Sequence, residues 1–249
     1  MIISFFEEFP TPQVLKKISL IRFPTRIFLA AHSVAEFLKL KKSISSKYVL
    51  EVVYWPILQR EEGYWVSPFS SKKALERIFL DVKDKKIPLL LDLEYPTTQN
   101  PTLYFTQFPF FFNNKNILSM LSSPSLWSAE YYASGPVTDS FLSFFGLHLN
   151  PKKYHSHVIK MFYHSLHHFD EQFFEKELRK NVKKWGNKFC VGMGTIACGI
   201  HGTEPLLLSK LLEKDLAIAK KVGVSEVVLF RLGGLNQKYL SVLKKFASK

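Results

Sequence analysis

The chain has 249 residues, 47% of them hydrophobic, and its 34 Lys+Arg against 21 Asp+Glu leave a formal net charge of +13. So much apolar residue supports a large core and excludes a disordered or low-complexity polypeptide. The lysines are scattered in pairs such as Lys16-Lys17, Lys41-Lys42, Lys152-Lys153 and Lys220-Lys221, with no Arg-rich tract, so nucleic acid is not an expected partner.

The N-terminal stretch MIISFFEEFPTP lacks a basic start and is interrupted by Glu7 and Glu8, so no signal peptide is expected. It reads as a strand, followed by a helix in TPQVLKKISLI with Thr11 as cap and Pro12 at its first position. RIFLAAHS predicts the second strand and VAEFLKLKKSI its helix; KYVLEVVYWP predicts the third strand. A long loop, ILQREEGYWVSPFS, leads to the helix SKKALERIFLDVKDK, and IPLLLDLEYP predicts the fourth strand. After a long aromatic stretch and a short helix in KNILSMLSS comes a fifth strand, LWSAEYYA, with the helix VTDSFLSFFGLHL behind it. SHVIKMFYHS is the sixth strand. Its helix, DEQFFEKELRKNVKKWG, has acids early, bases late and Gly186 to end it. KFCVGMGTIACG and SEVVLFRLG predict strands seven and eight, each again followed by a helical segment.

Eight strand–helix units in strict alternation predict an α/β fold, a single (β/α)8 TIM barrel of eight parallel strands spanning residues 1–249 as one domain. A doubly wound open sheet would carry a Gly-rich loop after the first strand, where this chain has EEFPTP. No run of about 18 apolar residues occurs, so no membrane partner is expected. Cys190 and Cys198 lie too far apart along an extended stretch to bond, which fits a reducing, cytoplasmic setting.

In such barrels chemistry collects at the C-terminal ends of the strands. Those ends deliver Glu7 and Glu8, His32, Tyr54 and Trp55, Asp92, Glu94 and Tyr95, Glu130 and Tyr131, Tyr163 and His164, His201 beyond Thr195 and Cys198, and Arg231. On the fourth strand Leu89, Leu91 and Leu93 share one face and Leu90, Asp92 and Glu94 the other. The leucine face suits the helical layer, which turns both carboxyls inward, where each raises the cost of ionising the other. The structural alternative is a carboxylate paired to a core cation such as Arg231. The long segments 56–70 and 97–114 are expected to fold over this end.

LDLEYP resembles the end of the fourth strand in family 18 glycoside hydrolases, the chitinase-like barrels, whose signature DxxDxDxE is commonly followed by Tyr-Pro. Asp92, Glu94, Tyr95 and Pro96 match its last part, while Ile87 and Leu90 stand where its first two aspartates would. Met161 and Tyr163 in KMFYH resemble that family's Met-x-Tyr, with His164 where Asp often follows; the usual strand-eight tryptophan is missing from VVLFRLGG. The resemblance implies a carbohydrate substrate, N-acetylated in the substrate-assisted case, with Glu94 as general acid, Asp92 as assisting carboxylate and Tyr163 on the acetamido carbonyl. It implies no cofactor and no metal.

Tyr54, Trp55, Tyr64, Trp65 and Tyr131 offer flat faces for sugar rings, and Glu8, Tyr95, Glu130, His164, His201 and Arg231 are further candidates for binding a small-molecule or oligosaccharide substrate. Two other readings stand beside this one. Glu94, Glu130, His164 and His201 are of the types that hold a divalent metal in a TIM-barrel sugar isomerase or phosphodiester hydrolase. The incomplete acidic signature also fits a glycan-binding barrel without turnover.

Overall fold

The alternating pattern becomes, in a computed structural model, eight strands: β1 Ile2–Glu7, β2 Thr25–Ala31, β3 Val49–Pro56, β4 Leu89–Leu93, β5 Leu126–Tyr131, β6 His157–Met161, β7 Phe189–Thr195 and β8 Glu226–Phe230. They close into a barrel in chain order. Pairing is parallel: β1 pairs with both β2 and β8, β4 with both β3 and β5, and β7 with β8. This is the single (β/α)8 barrel that the alternation predicts. The structure describes residues 1–96, 101–121, 123, 125–133 and 135–248.

The helices are α1 Pro12–Leu15, α2 Val34–Lys42, α3 Lys72–Val82, α4 Leu103–Thr106, α5 Phe111–Met120, α6 Pro136–Phe144, α7 Glu171–Trp185, α8 Ser209–Val222 and α9 Gln237–Phe246. Local chemistry sets their ends. The Thr11 side chain accepts from the Val14 N–H ahead of α1, and Asp170 accepts from the Gln172 N–H ahead of α7 at 2.7 Å. Gly223, at φ +84°, ends α8 in the left-handed region that glycine tolerates.

The chain divides into two compact units. The first comprises Met1–Leu29, Leu40–Val52 and Ile159–Lys249. Its apolar filling includes Phe6, whose ring lies 5.3 Å from Phe28 and 6.3 Å from Phe230. At the N-terminal ends of its strands, Arg26 pairs with Glu226 and, at 3.4 Å, with Glu51, while the Ser4 hydroxyl donates to Glu226 at 2.6 Å. Burial pushes the Glu226 carboxyl up and the neighbouring guanidinium pulls it back.

The second unit comprises Ala30–Lys39 and Val53–Val158. All five residues of β4 are buried. Its leucines each gain about 1.5–3 kcal/mol by leaving water, and this anchors the polar residues that follow them. Tyr54 pairs with Leu89 between β3 and β4, and Leu93 with Glu130 between β4 and β5. The loop after β3 folds back on β4: the Val66 N–H donates to the Asp92 carbonyl at 3.1 Å, and Trp65 stacks on Trp55 with ring centroids 6.1 Å apart. Of the second long segment, residues 97–100 lie outside the described residues. From residue 101 it forms α4, a 3-10 turn at Phe108–Phe110 and the start of α5, where sequence patterning predicts a helix only from Lys115.

Candidate active site

Register alone sets up the site in the second unit. With Leu93 opposite Glu130, the next residues along, Glu94 and Tyr131, meet at the ends of β4 and β5. The chain turns directly after β4, the Glu94 N–H bonding back to the Asp92 carbonyl at 3.1 Å. The side chains of Glu94 and Asp92 hydrogen-bond to each other, and Glu94 also bonds the Tyr131 hydroxyl. That hydroxyl accepts from the Tyr95 N–H at 3.2 Å and donates to Glu94. Two carboxyl oxygens can be joined only through a proton, so the Asp92–Glu94 contact is itself a proton-holding one.

Burial pushes the Glu94 carboxyl up to about 7, while the hydrogen bonds from Tyr131 and Asp92 pull it back down. The sequence reading anticipates a raised pair but assigns the rise to the neighbouring charge; the larger cause is desolvation. Tyr131 is driven well above the ordinary phenol range by its own burial, with the carboxylate of Glu94 adding to it. Asp92 is buried and Glu94 half-buried.

Behind this trio stands a pair the sequence reading misses. His148 Nε2 lies 2.8 Å from the Tyr131 carbonyl and Nδ1 lies 2.7 Å from an Asp139 carboxylate oxygen. A carbonyl only accepts, so Nε2 donates. Nδ1 then meets Asp139 either as a second N–H, on an imidazolium, or through a proton held by Asp139. Asp139 sits in the first turn of α6 and His148 beyond its end, so the contact depends on tertiary folding and leaves no local spacing signal.

Other expected site residues of this unit have different surroundings. Glu130 is buried, and its Oε1 accepts from the Ser128 hydroxyl at 2.6 Å and the Leu149 N–H at 2.8 Å, so it ties the segment after α6 to β5. Tyr54 is 1% exposed and packs on Phe37 of α2, and Trp55, also 1% exposed, stacks on Trp65. Both are core side chains as they stand, not sugar platforms. Tyr95 is half-buried, its ring 6.0 Å from that of Tyr131 and 5.8 Å from Phe69.

In the first unit Arg231 donates to Glu7 at 3.0 Å and to the Cys198 carbonyl at 2.9 Å, and its guanidinium lies 4.8 Å from the Phe9 ring. It is therefore a structural partner of Glu7, in place of the substrate or of the core pairing with Asp92 or Glu94 that the sequence leaves open. Tyr163 is half-buried, 6.3 Å from Phe230, and its ring rests on Gly192, where a Cβ would come within 2.9 Å of it. Glu8 is buried close to Gly199, where a Cβ would stand 3.0 Å from its Oε2. His164 is buried: Nδ1 lies 3.0 Å from Asp215 and Nε2 2.9 Å from the Phe169 carbonyl. Burial lifts Asp215 to about 6, against the pull of His164. His201 is exposed on a loop held by Glu204, which accepts from the His201 N–H at 3.0 Å. Among the described residues no three His, Cys, Asp or Glu side chains gather as a metal site would require.

No protein-family model matches the sequence, and no curated protein matches it. Solved structures do match. The glycoside hydrolase domain of PgaB (BpsB) from Bordetella bronchiseptica superposes with a TM-score of 0.59 at 12% identity, covering 100% of this chain and 99% of that one. A chitinase from Chromobacterium violaceum gives 0.53 at 9% identity, covering 98% of each chain. A GH5 xyloglucanase from Bacteroides ovatus gives 0.52 at 12% identity, covering 96% of this chain and 68% of that one. At such identities the likeness is one of fold: this chain is built as a barrel of the kind found in glycoside hydrolases.

Proposed function

We propose that the protein is a glycoside hydrolase-like enzyme in which Glu94 is the general acid. The observation that carries this reading is the Asp92–Glu94–Tyr131 group at the ends of β4 and β5. There a carboxyl is kept protonated close to neutral pH by burial, on a barrel whose fold glycoside hydrolases share. Cleavage needs a proton delivered to the leaving glycosidic oxygen as its bond to the anomeric carbon breaks. Glu94 holds such a proton, and Asp92, hydrogen-bonded to it, can take up the proton position or the developing positive charge as Glu94 ionises.

For an N-acetylated sugar, Asp92 is the carboxylate that would orient the acetamido group. The tyrosine hydroxyl bonded to the acid is that of Tyr131, so this reading gives the tuning of Glu94 to Tyr131. Tyr163 keeps its expected part on the acetamido carbonyl on the strength of the Met-x-Tyr resemblance alone. Two free cysteines, one of them buried, support work in a reducing compartment such as the cytoplasm.

A panel of chromogenic glycosides that includes N-acetylglucosaminides tests the proposal. Turnover of one of them, abolished in Glu94→Gln with binding retained, is the expected result. Full activity in Glu94→Gln on that substrate contradicts the acid assignment. Binding without turnover in the unmodified protein favours the glycan-binding alternative.

A further inference from the structure

The second unit exposes an unusual run of phenylalanines. Phe105, Phe108 and Phe112 are 83%, 69% and 70% exposed, and Phe141 and Phe144 are 54% and 58% exposed. Three buried or half-buried aromatics explain why they share one face. Tyr104, Phe111 and Phe145 all pack on Phe69, with ring centroids at 5.5, 5.3 and 5.8 Å. Phe105, Phe112 and Phe144 are their immediate sequence neighbours. As one residue of each pair turns in to Phe69, the other is left outside, so α4, α5 and α6 present their outer phenylalanines together.

An exposed apolar patch of this kind marks an interaction surface. Its charge says what kind. Residues 95–129 contain no Asp or Glu. The Lys72 and Lys115 ammonium groups lie 5.2 and 5.5 Å from the ring centres of Phe110 and Phe144, so cations stand at the level of the phenylalanines. Aromatic side chains ringed by lysines, with no acid among them and on a chain of net charge +13, are complementary to the headgroup boundary of an anionic lipid layer. We infer that this phenylalanine face docks peripherally on an anionic lipid surface.

No helix is long and apolar enough to cross a membrane. The sequence reading discounts a membrane on that ground, but a face lying in the interface needs no span. The inference is independent of the role given to Glu94.

The test is co-sedimentation of the full chain with vesicles of phosphatidylcholine alone or with one-third phosphatidylserine, at low and high salt. Binding to the phosphatidylserine vesicles, weakened by salt, is expected. Combining Phe105→Ser, Phe108→Ser and Phe112→Ser should lower it at least about tenfold, since interfacial binding scales with buried apolar area. Hydrogen exchange on the unmodified protein needs no variant and should show protection of 101–121 on those vesicles. No sedimentation with either vesicle overturns the inference, as does equal binding to both. Self-association that the same substitutions abolish, without lipid binding, overturns it in favour of a second copy of the chain.

Discussion

Glu7 and Glu94 are both glutamates at the C-terminal end of a barrel strand, and they are treated in opposite ways. Glu7 is fully buried and meets only donors: the Arg231 guanidinium at 3.0 Å, the Gly233 N–H at 2.7 Å and the Phe9 N–H at 2.8 Å. Such a surrounding suits a carboxylate and uses it to fasten the segment after β8 to β1. Glu94 meets the Tyr131 hydroxyl and another carboxyl, with no cation named among the influences on it. A guanidinium makes an acid structural; its replacement by a second acid makes one available for proton transfer.

The comparison is sharpened first by Glu94→Gln. The amide keeps the shape and both contacts, donating to Asp92 and accepting from Tyr131, but has no proton to give. Turnover on any glycoside the protein cleaves should fall on the order of 10²–10⁴-fold with the fold intact, as read by kinetics beside circular dichroism. On the other side, Arg231→Met leaves Glu7 buried without its cation. Chemical denaturation should show a loss of about 3–5 kcal/mol, with any change in activity following from that instability.

The third prediction concerns pH. The Glu94 carboxyl titrates near 4.5 when unfolded and near 7 when folded, so between those values the native state holds a proton that the unfolded state has lost. Stability from this group is therefore fully present below about pH 4.5, falls as pH rises to about 7, and is flat beyond; the drop is at most about 3 kcal/mol. Glu94→Gln should remove that slope and be relatively more stable above pH 7. A parallel pH dependence in both proteins would show that the proton is not held at Glu94.

Tyr131→Phe removes a hydrogen bond that favours ionised Glu94. Glu94 should then titrate higher, and the alkaline limb of the activity profile should move up with it. The smallest effect is expected from His148→Gln, which disturbs the support of Tyr131 through its carbonyl. A stability loss of about 1 kcal/mol in denaturant, with the pH profile nearly unmoved, is the outcome for a residue acting only on backbone position.

The barrel is legible in the sequence because each strand is a short apolar run and each helix an amphipathic one, with caps such as Asp170 and stops such as Gly223 in plain view. The Asp92–Glu94 pair is legible for a related reason: two residues apart on a strand means one face. What is not legible is the company a residue keeps. Glu130 and Tyr131 are adjacent, yet one bonds Ser128 and Leu149 and the other reaches Glu94. Nothing local to Arg231 announces Glu7, which lies 224 residues away. The helical turns at 101–110 escape periodicity because Pro109 and clustered aromatics disguise two short turns as a loop.

The central claim is that Glu94 carries a proton near neutral pH, and a carboxyl titration tests it most directly. With 13C-labelled glutamate, the resonance that disappears in Glu94→Gln identifies the group. It should titrate near 7 and remain in its protonated position at pH 6. A Glu94 resonance already at its ionised position at pH 5 would contradict the account.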